Sequence, residues 1–135
     1  MRLNSRMRFA VAALIEVALN HPHGPVSLSK ISNRHQISIT HLENIFSKLL
    51  AHELVLSARG PGGGYTLACE PDEINLLDIS QALEDKSVND LKLLSATAES
   101  EIWASLQRSL DAQMQSISLT QMLAEQKITD STFIH

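Results

Sequence analysis

The sequence predicts a mainly α chain with one small β-hairpin near its middle. Three observations predict it. Apolar residues recur at helical spacing over residues 5–20, 39–52 and 99–117. A β-type run, Leu54-Val-Leu-Ser-Ala-Arg59, faces a second, Tyr65-Thr-Leu-Ala68, across the glycine-rich stretch Gly60-Pro-Gly-Gly-Gly64. Turn-forming residues separate these pieces at short intervals.

The first helix is expected over 5–20, with Val11, Leu14, Ile15 and Ala18 as its apolar stripe and Ser5 as N-cap. Asn20-His-Pro-His-Gly-Pro25 stops it with two prolines and a glycine. A short helix follows over 27–35, capped by Ser27, with Leu28 and Ile31 inward. Gln36-Ile37 makes a tight connection to a third helix over 39–52, capped by Ser38 or Thr40, whose stripe is Leu42, Ile45, Phe46 and Leu49. The hairpin comes next. Leu76–Leu83 reads as a helix with Leu76, Ile79 and Leu83 on one side, and 85–98 as a loop. A long amphipathic helix over 99–117 carries Trp103, Leu106, Leu110, Met114 and Ile117, and a last short helix, 119–126, turns Met122 and Leu123 inward.

Composition removes whole classes of function. At 135 residues and 44% hydrophobic, the chain is the size of one compact domain and can bury a core without staples. Its single cysteine, Cys69, excludes an intrachain disulfide, a multi-thiolate zinc site and a cluster held only by cysteines of one chain. No apolar run is long enough to span a bilayer. Arg2, Arg6 and Arg8 before Phe9–Leu19 mimic a signal peptide, but Glu16 interrupts the run and no cleavage site follows. The expected compartment is the cytoplasm. No nucleophile–base pair or metal set appears, so no enzyme, cofactor or metal is expected.

Charge is unevenly divided. Residues 1–65 carry seven Lys/Arg, three acids and five of the six histidines; residues 66–135 carry four bases and twelve acids. A basic half joined to an acidic half is the footprint of a nucleic-acid-binding module attached to something else.

Helix, short helix, tight turn, helix and glycine-tipped hairpin is the order of a winged helix-turn-helix. A base-reading helix needs an apolar stripe to hold it and a face of short polar side chains to approach base edges. Thr40, His41, Glu43, Asn44 and Lys48 suit that face. Arg59 beside Gly60 and Gly62 offers a cation next to a nearly bare tip, which fits a narrow minor groove; a plain structural turn is the competing reading. Neither phosphate-loop spacing is present. Trp103, Leu106, Leu110, Met114 and Ile117 exceed what a small winged domain buries, so pairing with a second copy is expected. Cys69 reads as a small hydrophobe, with a redox switch as the rival; Glu70 and Asp72 beside it would raise its pKa. The histidines lack metal spacing. His41 faces the presumed groove, and the others are expected at the surface.

Met1-Arg-Leu, Phe9-Ala-Val, Val17-Ala-Leu-Asn20, Gly24-Pro-Val26, Ile37-Ser38, Leu42-Glu43, Phe46-Ser47 and above all Arg59-Gly-Pro-Gly-Gly-Gly-Tyr65 resemble the IscR-like transcription regulators of the Rrf-two family. Ile102-Trp103 and Ile117-Ser-Leu-Thr120 resemble that family's dimerisation helix and the segment behind it. The resemblance implies a homodimeric regulator on a palindromic operator, with Ser38, Thr40, Glu43 and Asn44 on the reading helix and Arg59 on the wing. It also marks a departure. The family's sensors hold a two-iron two-sulfur cluster on three cysteines and a histidine; the matching histidine position is Ser100, the nearest cysteine position is Thr97, and no Cys or His occurs from 70 to 134. Glu84, Asp85, Asp90, Glu99 and Glu101 could bind a hard cation, but acids in such a stretch are usually just solvated.

The expected organisation is a winged helix-turn-helix over 1–68, a connecting helix and degenerate cluster loop over 69–98, a dimerisation helix and C-terminal helix over 99–127, and a tail over 128–135. The expected function is repression by a homodimer bound to double-stranded DNA, without a cluster. The rivals are control by an unknown protein or ligand effector at the former cluster loop, and a winged-helix interaction module that binds no DNA.

Overall fold

The computed structural model describes residues 5–60, 63–84 and 98–125. Helices dominate, and a two-stranded antiparallel sheet is inserted after the third. Helix α1 spans Ser5–Leu19, α2 Leu28–His35, α3 Ile39–Ala51, α4 Leu76–Leu83 and α5 Ala98–Gln115. Strands β1, Val55–Ala58, and β2, Gly64–Leu67, form the hairpin, and a final helical stretch covers 119–125. Among the described residues no helix is long and apolar enough to cross a membrane.

Helix boundaries follow local hydrogen-bond chemistry. The Ser27 hydroxyl accepts from the Lys30 N–H at 3.2 Å and starts α2. The Ser38 hydroxyl accepts from the His41 N–H at 3.1 Å and starts α3, so Ser38 is the cap and Thr40 already lies inside the helix. Between them Gln36 takes the left-handed conformation, φ 57°, ending α2 within one residue. Asn75 and Asp78 form a reciprocal capping box at α4, with bonds of 2.9 and 3.1 Å. The N-cap of α1 falls outside the described residues, as do Gly62, the segment 85–97 and the tail.

The core lies where α1, α2 and α3 converge, with α4 closing one side. Leu14, Val17, Ile31, Leu42, Ile45, Phe46, Leu49 and Ile79 are fully buried. Each side chain of that size contributes about 1.5–3 kcal/mol on leaving water. Leu14 and Ala18 of the expected α1 stripe are buried, but the face is turned: Met7, Ala10, Ala13 and Val17 join them inward, while Val11 and Ile15 are half-buried. Val11, Ala12 and Ile15 line a shallow apolar groove together with Leu76 and Met122.

The hairpin pairs Val55 with Leu67 and Ala58 with Gly64. Tyr65 also exchanges backbone hydrogen bonds with Val26, 3.0 and 2.9 Å, an isolated antiparallel bridge that ties the stretch before α2 to β2. Gly64 makes this possible. Its φ is +154°, and a Cβ there would stand 2.1 Å from the Val26 carbonyl oxygen.

A second clasp joins distant segments. The Leu76 N–H donates to Ile117 O at 2.9 Å, and the Leu119 N–H donates to Ile74 O at 2.7 Å. The long helix stops at Gln115, short of the expected 117, because Ser116 turns its hydroxyl onto Gln113 O at 2.6 Å and the chain enters this clasp. Its apolar stripe is divided in use. Met114 is buried in the chain's own core beside Leu119, and Ile117 lies past the helix end, half-buried. Ile102, Trp103 and Leu106 stand 64%, 58% and 55% exposed, and Leu110 is half-buried.

Candidate nucleic-acid interface

Helix α3 is built as a two-sided element. Leu42, Ile45, Phe46 and Leu49 face the core with no exposure, while Ser38, Thr40, Glu43, Asn44 and Ser47 are exposed along the other side. His41 is half-buried and packs edge-on against Phe9, ring centroids 5.3 Å apart, which fixes its ring against α1. Lys48 is half-buried at the far end of the same face. The Ser38 hydroxyl spends an acceptor on capping and keeps its own proton to donate.

The wing is tied to this helix by aromatic contact. The Tyr65 ring lies 4.6 Å from that of Phe46, the most voluminous buried side chain of α3. Arg59 and Gly60 are exposed where the hairpin leaves β1; Gly60 has φ +94°, and its carbonyl accepts from the Gly63 N–H at 2.9 Å. Four exposed polar positions of α3 and one exposed cation of the wing thus stand on one folded unit. The chemistry of such a unit suits hydrogen bonding to base edges from a helix and attraction of a groove or phosphate to a cation on a wing.

Three charged residues that sequence reasoning passed over shape this unit. Arg6 donates from Nη2 to Asn44 Oδ1 at 2.8 Å and from Nη1 to Leu83 O at 2.9 Å. Glu16, read only as an interruption of an apolar run, is buried and accepts from Arg34 Nε at 2.9 Å and meets His35 Nε2 at 3.0 Å. His35 therefore departs from the surface position expected for it; His21, His23 and His52 are exposed. A charge at an apolar spacing in α1, followed by a base–His pair at the end of α2, is the only sequence signal of this cluster.

Cys69 is half-buried after β2. Burial first, then the carboxylates of Glu73, Asp78 and Glu70, push its thiol above the ordinary range. Asp72, expected to contribute, is replaced in that role by Glu73 and Asp78.

A polar-faced helix behind a tight turn, flanked by a hairpin wing, defines a winged helix-turn-helix of the kind transcription regulators use to bind DNA. The comparisons agree. The family described as "Rrf2: Iron-dependent Transcriptional regulator" matches residues 3–125. The HTH-type transcriptional regulator IscR of Sodalis glossinidius is 36% identical over 138 residues, covering 96% of this chain and 83% of its own. Among solved structures, T. potens IscR superposes with TM-score 0.74 at 32% identity, covering 93% of this chain and 88% of that one. CymR, the global cysteine regulator of B. subtilis, gives 0.73 at 28% identity, covering 93% of this chain and 98% of that one. The chain belongs to the Rrf2 family of transcriptional regulators.

The family description names iron, and the residues present do not fit an iron–sulfur cluster. The whole sequence offers one thiol, Cys69, and no Cys or His from 70 to 134. Among the described residues no three His, Cys, Asp or Glu side chains are grouped to hold a metal.

Proposed function

We propose that this regulator acts as a homodimeric repressor on a palindromic operator, with its effector chemistry separated from iron–sulfur binding. The observation that carries the reading is the pairing of the exposed Ser38–Thr40–Glu43–Asn44 face with Arg59 on a wing held to α3 through Tyr65 and Phe46. In this reading Ser38, Thr40, His41, Glu43, Asn44 and Lys48 meet the major groove and its phosphates. Arg59, Gly60 and Gly62 meet the adjacent minor groove or flanking phosphate. Glu43 accepts from a cytosine amino group and repels bases that present only acceptors. Occupancy of the operator is the repressing act.

Support for two copies comes from α5. Ile102, Trp103 and Leu106 form an exposed apolar face, and the groove of Val11, Ile15, Leu76 and Met122 is a second one on the same chain. A second copy covers both, with Leu110 at the margin, while Met114 and Ile117 support the helix from within.

The test is selection from a randomised operator library at two salt concentrations. Arg59→Ala should lose about 1–3 kcal/mol of binding. If its contact is to phosphate, the loss is uniform across sequences and the salt slope shrinks. Glu43→Ala should keep affinity and broaden the sequences bound. An unchanged preference in Glu43→Ala overturns the placement of α3. Absence of salt-dependent binding to any DNA in the library points instead to a protein-interaction module.

A further inference from the structure

The Arg6 fork has a consequence for what Asn44 can read. Asn44 is exposed on α3, and its side-chain amide has two different ends, an acceptor oxygen and a donor nitrogen. Arginine carries only donors, so the atom facing it must be the oxygen. Arg6 Nη2 holds Asn44 Oδ1 at 2.8 Å, while its Nη1 is fixed on the Leu83 carbonyl at 2.9 Å. Two anchors on one planar guanidinium leave it little freedom, and Arg6 is itself half-buried. With the oxygen drawn back toward α1, the amide nitrogen is the end that projects away from it.

We propose that Arg6 is a positioning residue for base specificity: it fixes Asn44 as a hydrogen-bond donor toward DNA. Asparagine reads adenine by using both ends at once, accepting from N6 and donating to N7. Arg6 takes one of the two lone pairs of the Asn44 oxygen and holds that oxygen toward α1, so the amide is not free to turn both ends to one base edge. It favours edges that present acceptors, guanine O6 and N7 or thymine O4, and disfavours the adenine N6 amino group. Arg6 touches no base in this arrangement. It acts through Asn44, and the acceptor it holds at Leu83 ties the same setting to the end of α4. The inference rests on the reading of α3 as the base-reading helix.

The experiment is operator-library selection with the full chain, Asn44→Ala, Arg6→Met, Arg6→Lys and the Arg6→Met/Asn44→Ala double variant, with thermal melts of each to establish folding. Asn44→Ala should relax one operator position per half-site. Arg6→Met should shift that same position toward adenine by about fivefold or more, and the double variant should prefer what Asn44→Ala prefers. Arg6→Lys keeps the charge but not the fork, so it should relax the same position while retaining background affinity for unrelated DNA. Were Arg6→Met destabilised, Arg6→Lys carries the test alone. If Asn44→Ala relaxes a position that both Arg6 variants leave intact, the positioning role is overturned and the reading helix stands. If Asn44→Ala relaxes no position, the reading of Asn44 itself fails, and the inference with it.

Discussion

Glu16 of α1 and Arg34 of α2 meet at 2.9 Å, with the carboxylate buried and the guanidinium largely in solvent. The pair joins the first two helices at the edge of the core. Removing Arg34 leaves a buried carboxylate with His35 as its remaining partner. A fully buried pair broken this way costs about 3–5 kcal/mol, but the Arg34 side chain is 61% exposed and screened by water. Arg34→Ala should therefore destabilise by about 1–2 kcal/mol. In urea denaturation, a Glu16→Gln/Arg34→Ala cycle should show coupling of at least about 0.5 kcal/mol; strict additivity would contradict the contact.

The wing should be intolerant at a single atom. Gly64→Ala places a methyl 2.1 Å from the Val26 carbonyl oxygen at a residue whose φ is +154°. Either the backbone shifts or the Val26–Tyr65 pairing opens, at about 2–4 kcal/mol. Loss of hydrogen-exchange protection at the Val26 and Tyr65 amides, with the α3 amides still protected, is the expected signature.

Trp103→Ala should weaken self-association by about 2 kcal/mol, roughly thirtyfold. Operator affinity should fall with it, because linked half-site readers gain from effective concentration. Sedimentation and operator titration measure both. A monomer at micromolar concentration that still binds the full palindrome tightly would show that α5 is not the joint.

Cys69 should react slowly in the folded state. Its thiol is held above the ordinary value by burial and by Glu73, Asp78 and Glu70, so little thiolate, the nucleophilic form, exists near neutral pH. The folded chain holds this proton more tightly than the unfolded one. That contribution to stability is complete below the unfolded thiol value and is lost as pH rises through the folded value, a strictly alkaline window. Iodoacetamide labelling should be slower in buffer than in urea at neutral pH and should accelerate as the solution is made alkaline. Faster labelling in the folded state would refute the assignment.

Prepared without oxygen, the protein should carry neither stoichiometric iron nor acid-labile sulfide, because its one thiol, Cys69, lies outside the stretch that by resemblance carries the ligands, and that stretch has no Cys or His, with Thr97 and Ser100 at matching positions. Metal analysis and the visible spectrum decide it.

What the sequence revealed and what it concealed divide along range. The α3 stripe Leu42–Ile45–Phe46–Leu49 was legible because helical spacing is a local property, and the exposure of Trp103 and Leu106 was legible as surplus apolar area on one helix. Arg6 was not, because its two partners lie 38 and 77 residues away and one of them is a backbone carbonyl without sequence identity. Glu16 showed as a charge in the wrong place, but its partners sit on the next helix. The turned face of α1 was hidden because alanines at 10 and 13 pack as well as larger side chains where helices approach closely.

The backbone bonds Leu76–Ile117 and Leu119–Ile74 close the chain upon itself, so that everything between them begins and ends at one fixed mouth. Residues added or removed between α4 and α5 change only the contour of that closed circuit. Closure entropy grows only slowly with the length of such a circuit, by about 0.6 kcal/mol for each doubling. A lineage can therefore rewrite the stretch that, by resemblance, carries cluster ligands in its sensors, in length as well as in chemistry, while the clasp keeps its two ends together.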